Sequence, residues 1–240
     1  MLNWRCSSGV VGVSLSALLF APGCSGTSLA QIFSTSAEDQ AGFVQVDELL
    51  DRVEDVHVGC ELAGRNVRES LAALMALVGS DFRGNPELVY DDYLVAIALS
   101  ETQAKELRES YEPMVDVSAQ VFESWEADLE AFSSETLRAH SRDRMESARA
   151  RYDAIVALAE PALDEYESFN RALRDYALYL GNDLSTGAVA AIEGELRDLA
   201  NVGSKLEENF ETCTAACRDY VRRAALRGQI SPKSKHKPGV

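Results

Sequence analysis

The chain has 240 residues, of which 39 are acidic and 23 are basic, so its formal net charge is −16 at pH 7. Such an acidic chain repels phosphate backbones and gains nothing from counterion release, which excludes nucleic acid as a partner. A hydrophobic fraction of 46% is ordinary for a folded protein and excludes disorder over most of the chain.

The first element along the chain is typical of a targeting signal. Arg5 precedes an apolar run from Val10 to Ala21. That run is shorter than the roughly 20 apolar residues that span a bilayer, and it has the length of a signal-peptide core. We therefore predict a signal peptide over residues 1–23 and an exported protein.

The end of this signal resembles the lipobox of bacterial lipoproteins, in which a small residue precedes a cysteine. The segment reads Ala21-Pro22-Gly23-Cys24. Acylation of Cys24 would hold the protein on the periplasmic side of a bacterial membrane. The alternative is conventional cleavage after Ala30, which gives a soluble periplasmic or secreted protein. Residues 24–42 are expected to form a flexible tether.

The first helical segment begins near Val46, where apolar residues start to recur at alternating steps of three and four. This spacing is typical of a coiled-coil helix. The positions are Leu49, Val53, Val56, Cys60, Ala63, Val67, Leu71, Leu74 and Val78. Breakers between Gly79 and Pro86 end the segment, and the short loop favours an antiparallel neighbour.

The second segment runs from about Glu87 to Phe132 and the third opens with Ser133 and Ser134, which can cap a helix. Pro113 lies inside the second segment, so we expect a kink or a short break near Tyr111. Pro161 interrupts the third segment in the same way. The apolar positions are Tyr90, Ile97, Ala104, Tyr111, Trp125 and Phe132, then Met145, Ala148, Tyr152, Ile155, Ala159, Tyr166, Leu173 and Leu180.

The fourth segment carries the clearest periodicity. The turn from Gly181 to Asp183 ends the third helix, and Ser185 or Thr186 can cap the fourth. Apolar positions from Val189 to Ala224 then alternate by three and four without a slip. These patterns predict an all-α fold, an elongated antiparallel helical bundle or coiled coil of about four long helices over residues 43–227. The basic stretch over residues 228–240, rich in proline and glycine, is predicted to be disordered.

The stretch from Phe122 to Leu196 resembles a bacterial family known as domain of unknown function 2959. The residues that carry the resemblance are Phe122, Trp125, Glu126, Phe132-Ser133-Ser134, Leu137-Arg138, Arg151-Tyr152, Glu160-Pro161-Ala162-Leu163, Tyr179-Leu180, Leu184 and Ala188. The resemblance implies a helical, exported and often lipoprotein-like protein. The family's Lys-His-Asn turn is replaced here by Gly181-Asn182-Asp183, so no role of a basic group at this turn is carried over.

Three cysteines stand out as candidate site residues. Cys213 and Cys217 are one helical turn apart on the seam of the fourth helix, and in an up-down-up-down bundle Cys60 lies at about their level. The three thiols can therefore meet, and an exported protein in an oxidising compartment is expected to pair Cys60 with Cys213 or Cys217 in a disulfide. Two alternatives stay open: small apolar core residues, and a metal site at Cys213 and Cys217.

Other candidate chemistry has ordinary structural explanations. Glu54 and His57 have a spacing that di-iron bundles use twice, but His140 has Leu137 three residues before it, so no second copy exists. We interpret Glu54 and His57 as part of a solvated charged face. Trp125 and the seam tyrosines are interpreted as core residues rather than as a ligand cage.

These observations favour a non-enzymatic protein without a cofactor. We expect a lipid-anchored helical spacer or protein-interaction module of the bacterial cell envelope, with protein partners or a second copy along its helix faces. The alternative function is a helical bundle that binds a metal or a small hydrophobic ligand in the envelope.

Overall fold

The computed structural model describes residues 37–80 and 82–224, and side chains from Val46 onward. Four long helices and one short helix account for nearly all of this part of the chain. They are α1 (Ala37–Val78), α2 (Pro86–Asp128), α3 (Glu135–Asn182), α4 (Thr186–Ala191) and α5 (Glu193–Ala224), with a 3₁₀ turn at Leu129–Ala131 between α2 and α3. The signal peptide, Cys24 and the basic tail fall outside the described residues, whereas α1 already begins within the range assigned to the tether.

Local hydrogen bonds explain where the helices begin. The Asn85 side chain accepts from the backbone N–H of Glu87 at 2.9 Å, and Pro86 occupies the first turn of α2, where its missing N–H costs nothing. Ser134 accepts from the N–H of Leu137 at the start of α3, as predicted from its position. Ser185 caps α4 in the same way.

The four long helices close into one antiparallel bundle. Helix α1 packs against α2 and α5, and α3 packs against the same two helices. The core is one continuous cluster of apolar side chains that includes residues of all four. The predicted all-α bundle of about four long helices is therefore confirmed, and it is a single closed bundle rather than two separate hairpins.

Two local expectations differ from the structure. Helices α2 and α3 run without interruption through Pro113 and Pro161, so there is no short break near Tyr111, and the kink expected as the other possibility stays a prediction. The fourth segment, expected to be one helix, is divided at Ile192, whose φ of −111° and ψ of 11° lie outside the helical region. The apolar spacing continues across this division, because periodicity records which side chains face the core and not whether each backbone hydrogen bond is made.

Polar side chains cross the middle of the core in what we call the polar layer, formed by Asn66, Ser100, Tyr166 and Asn170. Ser100 Oγ lies 2.7 Å from Asn170 Oδ1 and 2.9 Å from the Tyr166 hydroxyl, and Asn66 hydrogen bonds to Tyr166. Burial raises the pKa of Tyr166 to about 12, although these hydrogen bonds oppose the rise. The layer joins α1, α2 and α3 and was not predicted.

The exterior of the bundle is charged, and ion pairs join neighbouring helices. Arg108 on α2 reaches Asp164 and Glu167 on α3, both at 2.8 Å, and Arg68 on α1 reaches Glu207 on α5 at 2.9 Å. Pairs this exposed contribute only about 0.2–1 kcal/mol each. No helix among the described residues is both long and apolar enough to cross a bilayer.

Candidate functional site

A cluster of three buried thiols lies between the first and the last long helix. Cys60 comes from α1, and Cys213 and Cys217 come from successive turns of α5. The Cys60 thiol donates to Cys213 Sγ across 3.5 Å, and all three thiols are free. The structure thus brings together the three cysteines that the sequence singled out. Their pairing in a disulfide stays a prediction, and the sulfur contact favours Cys213 over Cys217 as the partner of Cys60.

The three thiols differ in their proton affinity. Interactions with the neighbouring Cys217 and Cys60 thiols lower the pKa of Cys213, because both thiols stabilise its thiolate. The same contacts, together with burial, raise the pKa of Cys60 and of Cys217. Cys213 is therefore the sulfur on which negative charge is best stabilised within the cluster.

A charged rim flanks the thiol cluster where α1 and α5 meet the solvent. Arg218 donates to Glu61 at 3.1 Å and contacts His57 Nε2 at 3.2 Å. The His57 side chain is only 13% exposed, and its Nδ1 is buried without a hydrogen-bond partner. His57 therefore does not lie on a fully solvated face as expected. Its contact with Arg218 could not be found from sequence, because it depends on how α1 and α5 are aligned.

A groove of about 490 Å³ opens beside the cluster, between α1 and α5. Its wall on α1 includes Cys60, Gly64 and Arg68, and its wall on α5 includes Glu207 and Phe210. Cys213 and Cys217 lie behind this wall. The groove was not predicted, although the glycine one turn after Cys60 was a possible signal of open space there.

Aromatic side chains fill the core next to the thiols. The ring centroids of Tyr152 and Tyr220 are 6.2 Å apart, and those of Phe122 and Tyr152 are 5.8 Å apart. Trp125 is partly buried and donates its indole N–H to Ser141 at 3.0 Å. These rings pack against one another and against the helices, in agreement with their interpretation as core residues.

The described residues contain no group of three or more His, Cys, Asp or Glu side chains arranged to hold a metal ion. Of the two candidate metal ligands, Cys213 contacts Cys60 across 3.5 Å. The acidic side chains of Asp164 and Glu167 form ion pairs with Arg108.

The fold and the site together define an antiparallel four-helix bundle with a thiol cluster in its core. The chain belongs to the family described as "Protein of unknown function (DUF2959)", which it matches over residues 35–223. This match includes all of the described helices except Ala224, the last residue of α5. No curated protein and no solved structure matches the chain.

Proposed function

We propose that the chain is a non-enzymatic helical spacer or protein-interaction module of the bacterial cell envelope, exported and held at the membrane through a lipid on Cys24. The observation that carries this proposal is the length of one continuously packed bundle. Helix α3 has 48 residues, which corresponds to about 72 Å at 1.5 Å per residue. A packed bundle of this length keeps whatever is attached at its two ends apart.

An apolar stripe on α2 supports the interaction part of the proposal. Leu88, Val95 and Leu99 are separated by seven and four residues, so they share one face of the helix. Each is more than half exposed, at 62%, 59% and 56%. Single exposed apolar residues are ordinary, but three on one face offer a shared contact surface, in which the exposed Asp91 and Asp92 lie between Leu88 and Val95. We assign this face to another protein of the envelope.

The anchor is tested by fractionation of intact cells that express the full chain or its Cys24→Ala variant. The unchanged chain is expected in the membrane fraction and labelled by a fatty-acid probe, and the variant is expected in the soluble periplasmic fraction without label. A Cys24→Ala variant that stays in the membrane fraction would contradict the lipid anchor.

The interaction surface is tested with a photocrosslinking amino acid at Val95 in intact cells. We expect one discrete adduct whose mass identifies a second protein, and none with the same probe at Lys105, an exposed polar position on the same helix. A chain with the probe at Val95 and the two substitutions Leu88→Ser and Leu99→Ser is expected to lose the adduct and to keep its helicity. An adduct of twice the chain mass would show self-association instead, and no adduct from any stripe position would contradict the proposal.

The alternative function, a bundle that binds a metal or a small hydrophobic ligand, gives a different result in native mass spectrometry and elemental analysis. The spacer is expected to carry nothing in stoichiometric amount when purified from its own host. A stoichiometric metal that is lost in Cys213→Ala, or a co-purifying lipid-like mass, would favour the alternative.

A further inference from the structure

The thiol cluster lies directly beside the groove, and its three cysteines differ in whether they belong to the groove wall. Among the three cysteines, Cys60 lines the groove. Cys213 and Cys217 are completely buried, and Cys60 is nearly so. Because Cys60 is the one of the three that lines the groove, it is the cysteine nearest to a small reagent in the groove, and a small movement of the wall would expose its sulfur. The other two sulfurs are reached only after Cys60 has reacted or when the bundle opens.

Gly64 keeps the groove open next to Cys60. It lies one turn further along α1 and also lines the groove. A Cβ atom at this position would have Phe210 Cβ as its neighbour at 3.7 Å, an ordinary contact distance. A side chain at position 64 is therefore sterically possible, but it would occupy space that now leads to the thiol.

Cys213 is placed to resolve a bond formed at Cys60. Their sulfur atoms are 3.5 Å apart, and a disulfide bond requires about 2.05 Å, so a shift of roughly 1.5 Å joins them. Cys213 also has the thiolate best stabilised by its neighbours, and the thiolate is the attacking form in thiol–disulfide exchange.

We propose that Cys60 is a modification site for small disulfide compounds that enter the groove, and that Cys213 resolves the adduct into a reversible disulfide between α1 and α5. In the first step the Cys60 sulfur attacks one sulfur of the compound RSSR, the proton of the Cys60 thiol passes to water in the groove, and RS⁻ leaves. In the second step the Cys213 thiolate attacks the Cys60 sulfur of the mixed disulfide, and the second RS⁻ leaves. Two electrons pass from the two cysteines to RSSR, which is reduced to two thiolate anions. Cys217 stays reduced. This inference is independent of the spacer function.

The test uses 5,5′-dithiobis(2-nitrobenzoate) on the folded full chain with Cys6→Ser and Cys24→Ser, which removes the two cysteines outside the described helices. We expect two nitrothiolate anions released per chain, no probe left on the protein, and a peptide that links Cys60 to Cys213 in mass mapping. When Cys213→Ala is added to this parent, one nitrothiolate anion is released per chain and the probe stays on Cys60. In the added Cys60→Ala variant release slows by at least about tenfold, because the remaining thiols react only when the bundle opens.

A second pair of variants keeps all three thiols and changes only access. Gly64→Leu is expected to slow release several-fold, whereas Gly194→Leu, at a helical glycine with nothing within 4 Å, leaves the rate unchanged. Circular dichroism before the reaction and the total thiol count in guanidinium confirm that each variant is folded and reduced. The proposal is overturned if Cys60→Ala reacts as fast as its parent, if the parent keeps the probe on Cys60 while Cys213 stays free, or if Gly64→Leu and Gly194→Leu react alike.

Discussion

Two groups of non-aliphatic side chains lie in the same core and differ in what holds them. In the polar layer, Ser100, Tyr166 and Asn170 are joined by hydrogen bonds of 2.7 to 3.3 Å, and Asn66 also contacts Tyr166. The thiol cluster joins Cys60 and Cys213 through a sulfur contact of 3.5 Å, with Cys217 beside Cys213 one turn along α5. On α1 they are separated by the six residues from Cys60 to Asn66, about 9 Å along the helix.

The polar layer and the thiol cluster differ in how strictly they fix the packing of the helices. Oxygen and nitrogen hydrogen bonds are directional, and a buried member that loses its partner costs about 1–3 kcal/mol. The polar layer therefore penalises any sliding of α2 against α3. Thiols are weak donors and acceptors and pack much like small apolar groups, so the thiol cluster tolerates rearrangement and remains free to change covalently. The following predictions measure this contrast.

The largest effect is expected from a disulfide between Cys60 and Cys213. The two residues are 153 positions apart, and closing a loop of this size restricts the unfolded chain enough to raise the free energy of unfolding by about 4–5 kcal/mol. Urea unfolding of the oxidised and the reduced protein, monitored by circular dichroism, measures the difference. The Cys60→Ala variant should unfold at the same urea concentration with and without oxidant. Equal midpoints for the oxidised and reduced parent would contradict this prediction.

Phe210→Ala is expected to lower the free energy of unfolding by about 3–5 kcal/mol, because truncation of a buried aromatic leaves a cavity. Phe210 is 1% exposed and lies three residues before Cys213, and its ring centroid is 5.4 Å from that of Tyr166 in an edge-to-face arrangement. It therefore separates the two groups. Val202→Ala, at a partly exposed position of the same helix, is the control and should change the unfolding free energy by less than about 0.5 kcal/mol. Similar losses in both variants would argue against a packed boundary at Phe210.

Ser100→Ala is expected to cost about 1–3 kcal/mol, because it removes the hydroxyl that contacts both Tyr166 and Asn170 and leaves them unsatisfied. Ser70→Ala is the matched control. Ser70 is equally buried, but its hydroxyl donates to the carbonyl of Val67 in its own helix at 3.1 Å, and its loss should cost less than about 1 kcal/mol. Chemical denaturation of Ser100→Ala and Ser70→Ala, measured side by side, shows whether losing hydrogen bonds between helices lowers the free energy of unfolding more than losing one within a helix.

The smallest effect is the alkaline pH dependence of the polar layer. The pKa of Tyr166 is about 12 in the folded protein and about 10 when unfolded. Because the folded pKa is the higher one, the contribution is complete below pH 10 and is lost as the pH rises toward 12. The resulting slope is at most about 1.4 kcal/mol per pH unit. Unfolding free energies measured between pH 9 and pH 11 should fall less steeply in Tyr166→Phe than in the parent.

The apolar seams could be predicted from sequence because exclusion of water imposes a regular spacing on each helix. On α5, every predicted position from Leu196 to Tyr220 is buried. Helix caps were equally predictable where a hydroxyl residue precedes the first turn, as at Ser134. The seams and the caps depend on residues that are close together in the sequence of one helix, so they can be predicted from the sequence alone.

The polar layer was missed because serine and asparagine are usually exposed. A signal was nevertheless present: the seam of α2 continues by fours and threes from Tyr93 through Ile97 to Ser100 and on to Ala104, all of which are buried. The groove had only Gly64 as a signal, and the contact of His57 with Arg218 had none. Both features depend on how α1 and α5, which are far apart in sequence, are aligned, and the sequence of either helix alone does not indicate that alignment.

The pairing of the first and the last long helix has a mechanical consequence. Because α1 and α5 are antiparallel neighbours, the beginning of α1 and the end of α5 leave the bundle at the same end. A pulling force applied between these two points would peel the helices apart one contact after another, instead of loading all contacts at once as in shear. A covalent link between positions 60 and 213 would stop this peeling before it reached the polar layer.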